Sequence, residues 1–216
     1  MKKIINLINK IRRRIYLRDL ANIVNNLQTE EPLSIISQNC FAGRIMQDLN
    51  MEYNSPTAGL AFMYPDYIKF LSNLKFYLKE AKLEFIDSSK YKDINTKRQQ
   101  NHETYPIALL GGDIEIHFIH YPVKEEAEKK WYRRAKRVNL NNLLIIGMDR
   151  DRCTESDIIA FDKLPYKHKI FFTSKELKLE SCEYIPYFKG KEVGNPYTKA
   201  YLFYKYMIKH NSQRQI

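Results

Sequence analysis

The chain is poor in the residues that mark several common protein types. Its 3 cysteines, Cys40, Cys153 and Cys182, are far apart and form no C-x-x-C pair, so neither a zinc ribbon nor a thioredoxin-type site is expected. That usage suits a reducing cytoplasm better than a secreted disulfide scaffold. No run of about 18 consecutive apolar residues occurs, which argues against a transmembrane helix. With 7 glycines and 8 prolines there is no Gly/Ser- or Pro-rich linker, and neither an internal repeat nor a low-complexity tract is seen. The phosphate-loop, dinucleotide-binding and nucleophile-elbow glycine patterns are all missing, which lowers the readings they would carry.

What is present is material for a core. Hydrophobic residues make up 44% of the 216 residues, with 16 Tyr and 11 Phe, enough for one packed domain. The net charge is +11, yet seven cations (Lys2, Lys3, Lys10, Arg12, Arg13, Arg14, Arg18) fall in residues 1–18, which hold no acid. The remainder carries an ordinary +4 and no recognition motif, so nucleic acid is disfavoured as a partner.

The basic segment places Ile4, Leu7, Ile8, Ile11 and Ile15 at helical spacing. No uninterrupted apolar region or small-residue cleavage site follows the charges, so it does not read as a signal peptide. Two readings stand. Such a helix can make a peripheral contact with an anionic membrane face. The commoner use is a terminal helix that packs its isoleucines on the core and keeps its lysines in water. The chain divides into a basic amphipathic helix over residues 1–28 and a single α/β domain over 29–216.

Short apolar runs then alternate with amphipathic segments. Leu33–Ser37 reads as a strand, Gly43–Leu49 as a short helix and Thr57–Met63 as extended. Pro65 opens a helix with a stripe of Tyr67, Leu71, Leu74, Leu78 and Ala81. Leu83–Asp87 reads as a strand, and residues 88–104 as a mobile polar loop. Tyr105–Leu110 and Asp113–His120, separated by Gly111-Gly112, predict a hairpin. Pro122–Val138 has acids early and bases late, matching the helix dipole. Asn142–Met148 is apolar enough for a strand covered on both faces. Thr154 with Asp157 forms a capping pattern, Lys169–Thr173 is a further strand, and Pro196–Lys209 a helix burying Ala200, Phe203, Tyr204 and Met207. The expected fold is α/β, a three-layer sandwich with a mixed, mostly parallel sheet and an N-terminal amphipathic helix.

Ligands of open α/β sheets sit beyond the carboxyl ends of the strands. There the sequence places Ser37, Gln38, Asn39 and Cys40; His120 and Tyr121; Asp149, Arg150 and Asp151; and Thr173, Ser174 and Lys175. His120 is the candidate general acid or base, since imidazole titrates near neutrality, against the commoner role of a structural histidine whose ring bonds a backbone carbonyl. Cys40 is a candidate nucleophile if His120 lies within reach, against the commoner role of a small buried hydrophobe. Gly43 would let the backbone turn closely into a helix. His117 and His120 are three apart on a strand and so face opposite sides, which disfavours a joint metal site. Asp149-x-Asp151 resembles a cation-holding motif of sugar-nucleotide transferases, but a turn leading into a capped helix explains it better. No metal or cofactor is assigned. Ser55 and Thr57 are candidate hydroxyls for a sugar or phosphate, though Ser55-Pro56-Thr57 is more simply a turn before a strand. Arg133, Arg134 and Arg137 are candidate phosphate ligands, though a solvated helix end accounts for them equally.

Three stretches carry a family resemblance: SQNCFAGRIMQDLNMEYNSPTAGLAFMYPDYIKFLSNL, DIEIHFIHYPVKEEAEKKWYRRAKRVN and DRCTESDIIAFDKLPYKHKIFFT. Together they span roughly residues 33–173. They resemble a bacterial family of proteins of unknown function associated with exopolysaccharide or capsule biosynthesis. Members often carry Trp-Gly after the Asn-Cys pair, where this chain has Phe41-Ala42. The resemblance implies an α/β fold, a link to surface-polysaccharide assembly, and weight on Asn39, Cys40, Ser55, Pro56, Thr57, His120, Tyr121, Trp131, Arg133 and Arg134. The leading expectation is a transferase acting on a sugar or sugar-nucleotide. The alternative is a non-catalytic accessory protein that docks a polysaccharide-synthesis complex at the membrane face.

Overall fold

A computed structural model describes residues 2–28 and 31–214, with side chains from residues 7 to 28 and 31 to 213. The side chains of Lys2, Lys3 and Ile4 therefore lie outside the described residues. In chain order the elements begin with helix α1 (Lys2–Leu27), strand β1 (Ser34–Ser37) and helices α2 (Phe41–Asp48), α3 (Tyr64–Ser72) and α4 (Leu74–Lys79). Next come β2 (Leu83–Ile86), α5 (Lys92–Gln100), β3 (Ile107–Leu110), β4 (Ile114–His117) and α6 (Lys124–Ala135). The last are β5 (Leu143–Met148), α7 (Glu155–Asp162), β6 (His168–Thr173), β7 (Cys182–Tyr184) and α8 (Ala200–Arg214).

Strands β1, β5, β6 and β7 form a four-stranded sheet in the order β1-β5-β6-β7, with every pair parallel. Its two faces feed two cores, as strand alternation requires. Ile36, Ile145 and Phe171 face a core shared with α3, α4, α6 and α7. Ile35, Ile146 and Phe172 face the other, closed by α2, α8 and the last turns of α1 through Phe41, Ile45, Phe203, Tyr204, Leu20 and Val24. The layered α/β class is the one expected, with one rearrangement. The hairpin β3-β4 does not join the parallel sheet; with β2 it makes a separate antiparallel sheet of three strands. Gly111 (φ 63°) and Gly112 (φ 80°) supply the left-handed backbone of that hairpin turn.

Local signals fall where expected. Thr154 and Asp157 close a reciprocal capping box at the start of α7. In α6, Glu125 and Glu126 occupy the first turn and Arg133 and Arg134 the last. The helix opened by Pro65 departs from expectation: Asn73 breaks it into α3 and α4, while its stripe from Tyr67 to Ala81 stays buried. Residues 88–104 also differ from the loop expected there. They hold α5 and are tethered by two buried acids: Glu115 accepts from Ser89 and from the Lys90 N–H at 2.7 Å, and Asp66 from Tyr91 Oη at 2.8 Å and from Lys90. Helix α1 is turned from the orientation in which its isoleucines would be core residues. Leu20 and Val24 are buried, while Leu7, Ile8, Ile11 and Ile15 are exposed.

Candidate functional site

A cleft of about 560 Å³ opens beyond the carboxyl ends of β1 and β5. Its floor is the turn after β1. Gln38 is fully buried there, and its Oε1 accepts from the Met148 N–H at 2.7 Å, extending the ladder by a side chain. Asn39 Oδ1 accepts from the Phe41 N–H at 3.1 Å, and Ser37 Oγ from the Ala42 N–H at 2.9 Å, so two free N–H groups at the start of α2 are satisfied by side chains from the strand end. Asn39 Nδ2 has a weaker contact, 3.5 Å to Met148 Sδ. Gly43 sits within α2 rather than at its entry. A Cβ there would stand 3.0 Å from Ala58 Cβ, so glycine serves close packing of helix on loop rather than a turn.

The opposite wall is brought in by β4. Ala61 and His117 form an isolated antiparallel bridge, and the His120 N–H donates to Gly59 O at 3.1 Å. This pairing carries exposed His120 and buried Tyr121 to the rim of the cleft. The strand expected over Asp113–His120 ends early, at His117, and His120 lies in the turn beyond it. His117 is separated from His120 by pointing inward, its Nε2 2.8 Å from Glu115 Oε1. Gly59 (φ 89°) passes so close to the Tyr121 ring that a Cβ would meet Cε2 at 3.0 Å.

Helix α6 supplies the cations. Arg134 Nη1 donates to Ala58 O at 2.7 Å and to Tyr121 Oη at 2.6 Å, and its guanidinium lies 4.9 Å from the centre of the Tyr53 ring. Lys130, one turn earlier, lies 5.3 Å from the centre of the Tyr121 ring. Burial raises the Tyr121 phenol, and Arg134 offsets part of that rise. Arg150 and Asp151 close a third side, with Arg150 Nε donating to Asp151 Oδ2 at 2.7 Å. Asp151 (φ 55°) and Arg152 (φ 71°) hold consecutive left-handed conformations, a strained turn beside the opening. Asn195 and Tyr197, from the segment before α8, complete the lining.

Of the residues expected at a site, Asn39, Cys40, His120, Tyr121 and Arg134 share this cleft. Burial pushes the Cys40 thiol up to about 11, with backbone hydrogen bonds and Arg150 opposing the rise. At neutral pH it is a protonated side chain in contact with Leu60 O at 3.7 Å. Ser55 and Thr57 do not line the cleft. Both are fully buried; their hydroxyls lie 2.9 Å apart, and Thr57 Oγ1 accepts from the Ser37 N–H at 3.3 Å. Arg133 is exposed and lies outside the lining, and Arg137 pairs with Glu52 at 2.8 Å. Asp149 turns inward to accept from Ser174 Oγ at 2.9 Å while Asp151 pairs with Arg150, so the two carboxylates of D-x-D serve separate partners. Lys130, Tyr53 and the Asn195–Tyr197 segment were not legible as site residues. Only Lys130 left a signal, its i, i+4 spacing from Arg134.

These features define an α/β protein with a tyrosine- and cation-lined cleft at the carboxyl edge of a parallel sheet. A family model described as a domain of unknown function (DUF1919) matches residues 12–212. An uncharacterised protein of Haemophilus influenzae (strain ATCC 51907 / DSM 11121 / KW20 / Rd) is 36% identical over 194 residues, covering 90% of this chain and 84% of that protein. The chain belongs to the DUF1919 family.

Proposed function

We propose that the cleft binds a sugar phosphate or sugar-nucleotide and that the chain is a transferase of surface-polysaccharide synthesis. The observation that carries this reading is the meeting of His120, Asn39 and Arg134 in one opening with Tyr53, Tyr121, Tyr197 and Lys130. Tyrosine rings offer faces for a sugar or a base, and guanidinium and ammonium groups complement phosphate. In this reading His120 accepts the proton of the acceptor hydroxyl as its oxygen bonds to the anomeric carbon. The bond from that carbon to the phosphate oxygen breaks, and the charge of the departing phosphate is met by Lys130 and Arg134. Asn39 Nδ2 orients the ligand. Cys40, protonated at neutral pH, contributes shape to the wall and no thiolate.

A panel of sugar phosphates and sugar-nucleotides tests this by thermal shift. A true ligand at a hundred times its Kd adds about 2.7 kcal/mol, or roughly 5–10 °C for a chain of this size. Lys130→Gln should weaken that shift. His120→Ala should keep the shift yet abolish polymer output in cells, and Cys40→Ser should change neither. The reading fails if no member of the panel shifts the melt, or if His120→Ala and Asn39→Ala both leave polymer output intact.

A further inference from the structure

Helix α1 has two apolar faces where a helix docked on a domain needs one. The inner face is occupied: Leu20 and Val24 are buried, Tyr16 and Leu17 pack beside them, and Arg13 reaches Asp48 at 3.2 Å. The outer face holds Leu7, Ile8, Ile11 and Ile15, which are 58%, 41%, 54% and 66% exposed. Residues 8, 11 and 15 follow the i, i+3, i+7 spacing of one stripe, turned away from the side that bears 13, 16, 17, 20 and 24. Such a row of exposed aliphatic side chains is unusual on a soluble surface.

Its flanks are cationic. Lys10, Arg12 and Arg14 are exposed beside the stripe, and exposed Arg18 continues it toward the carboxyl end of the helix, 3.6 Å from Asp19, the one acid among residues 2–27. The charge decides between occupants. A second copy of the chain would bring its own cations against these, a like-charge contact that opposes pairing. A nucleic acid would use the cations and leave the isoleucines in water. An anionic bilayer uses both, taking the aliphatic stripe into the headgroup boundary while lipid phosphates neutralise the flanks. We infer that α1 is an interfacial helix that seats the folded domain on an anionic lipid surface through Leu7, Ile8, Ile11 and Ile15. Among the described residues no helix is long and apolar enough to cross a membrane, so the contact is one of lying on the bilayer. The inference uses no residue of the cleft, and its failure leaves the transferase reading standing.

The test is flotation of the full chain with vesicles of phosphatidylcholine mixed with phosphatidylglycerol, against phosphatidylcholine alone. The chain should float with the mixed vesicles only, and release as salt rises. Arg14→Gln and Arg18→Gln should each lower partitioning about fivefold. The triple variant Ile8→Ser/Ile11→Ser/Ile15→Ser should abolish flotation with an unchanged melting temperature, since none of the three side chains is in the core. Equal binding to neutral vesicles, or no binding to either, would overturn the inference. So would full flotation of the triple variant, or sedimentation showing a dimer that this variant dissolves without any vesicle binding.

Discussion

Asp48 is the joint at which three helices meet, and removing its carboxylate should cost more than any surface ion pair. It accepts from Arg44 Nε at 3.0 Å and from Tyr204 Oη at 2.8 Å, and Arg13 Nε lies 3.2 Å away, joining α2, α8 and α1. The Asp48 and Arg44 side chains are only 6% and 9% exposed, against 21% for Arg13. Asp48→Ala leaves the Arg44 guanidinium against the Tyr197 ring, 4.6 Å from its centre, but without a carboxylate partner, a loss of about 3–5 kcal/mol. Arg13 has better access to water, so its share is under about 1 kcal/mol. For a domain of this size the total corresponds to a fall in Tm of roughly 6–24 °C. Urea denaturation should show a lower midpoint at an unchanged slope. Asp48→Asn keeps one acceptor oxygen and loses the charge, so it should fall between wild type and Asp48→Ala. A loss below about 1 kcal/mol for Asp48→Ala, the value of an exposed pair, would refute the reasoning. A loss in Arg13→Ala as large as in Asp48→Ala would move the weight from Arg44 to the docking of α1.

Gly147 pairs with Phe171 across the parallel ladder, and a Cβ there would lie 2.5 Å from Phe171 Cδ2 and 3.0 Å from Phe161 Cε2. Both rings are fully buried, so Gly147→Ala should destabilise by about 1–3 kcal/mol or more in denaturant titration; a neutral result would mean that the rings can turn aside. The buried acids give the chain an acid-labile side. Burial works to raise the Glu115 pKa, but His117, Ser89 and the Lys90 N–H outweigh it and hold the carboxyl below its ordinary value. A depressed folded pKa contributes stability that is fully present above the unfolded value, about 4.3, and is lost as pH falls through the folded one. Glu183 follows the same sign, with His210 and Lys209 outweighing burial. Glu115→Gln and Glu183→Gln should each lower Tm at neutral pH and flatten its fall in acid. An unchanged acid slope in either variant would contradict the assignment.

The parts of the fold written locally were legible. The run over Leu143–Met148 is apolar on both faces because it is the second strand of a sheet covered on both sides. The Thr154–Asp157 capping box and the charge order of α6 are short-range electrostatics, complete within one or two turns. The misreadings share a cause in distant partners. Residues 88–104 look like a polar loop until Glu115 on β4 and Asp66 on α3 are brought beneath them. The three residues of β7 become a strand through pairing with Phe171–Thr173. In α1 the sequence offers aliphatic residues to either side, and contact with α8 and Asp48 chooses the side bearing Leu20 and Val24.

At the cleft, one residue of helical phase separates a wall residue from a solvated one. Trp131 and Ala135 are buried on the inner stripe of α6. Positions 130 and 134 lie four apart on the flank of that stripe, and 133 is rotated by about 100° from 134. Arg134 therefore meets Tyr121 and Ala58 O while its neighbour Arg133 stays in water. The arginine run is uniform in sequence, and only the phase set by Ala127, Trp131 and Ala135 distinguishes its members. The hydroxyls of Ser55 and Thr57 show the opposite limit. A polar turn before an apolar stretch suggests a ligand, but a loop that must cross the end of β1 buries its own polar groups and has to satisfy them. Ser55, Thr57 and the Ser37 N–H do this among themselves. The same residue types that make a site in water make a scaffold once buried, so burial rather than chemistry separates the two roles here.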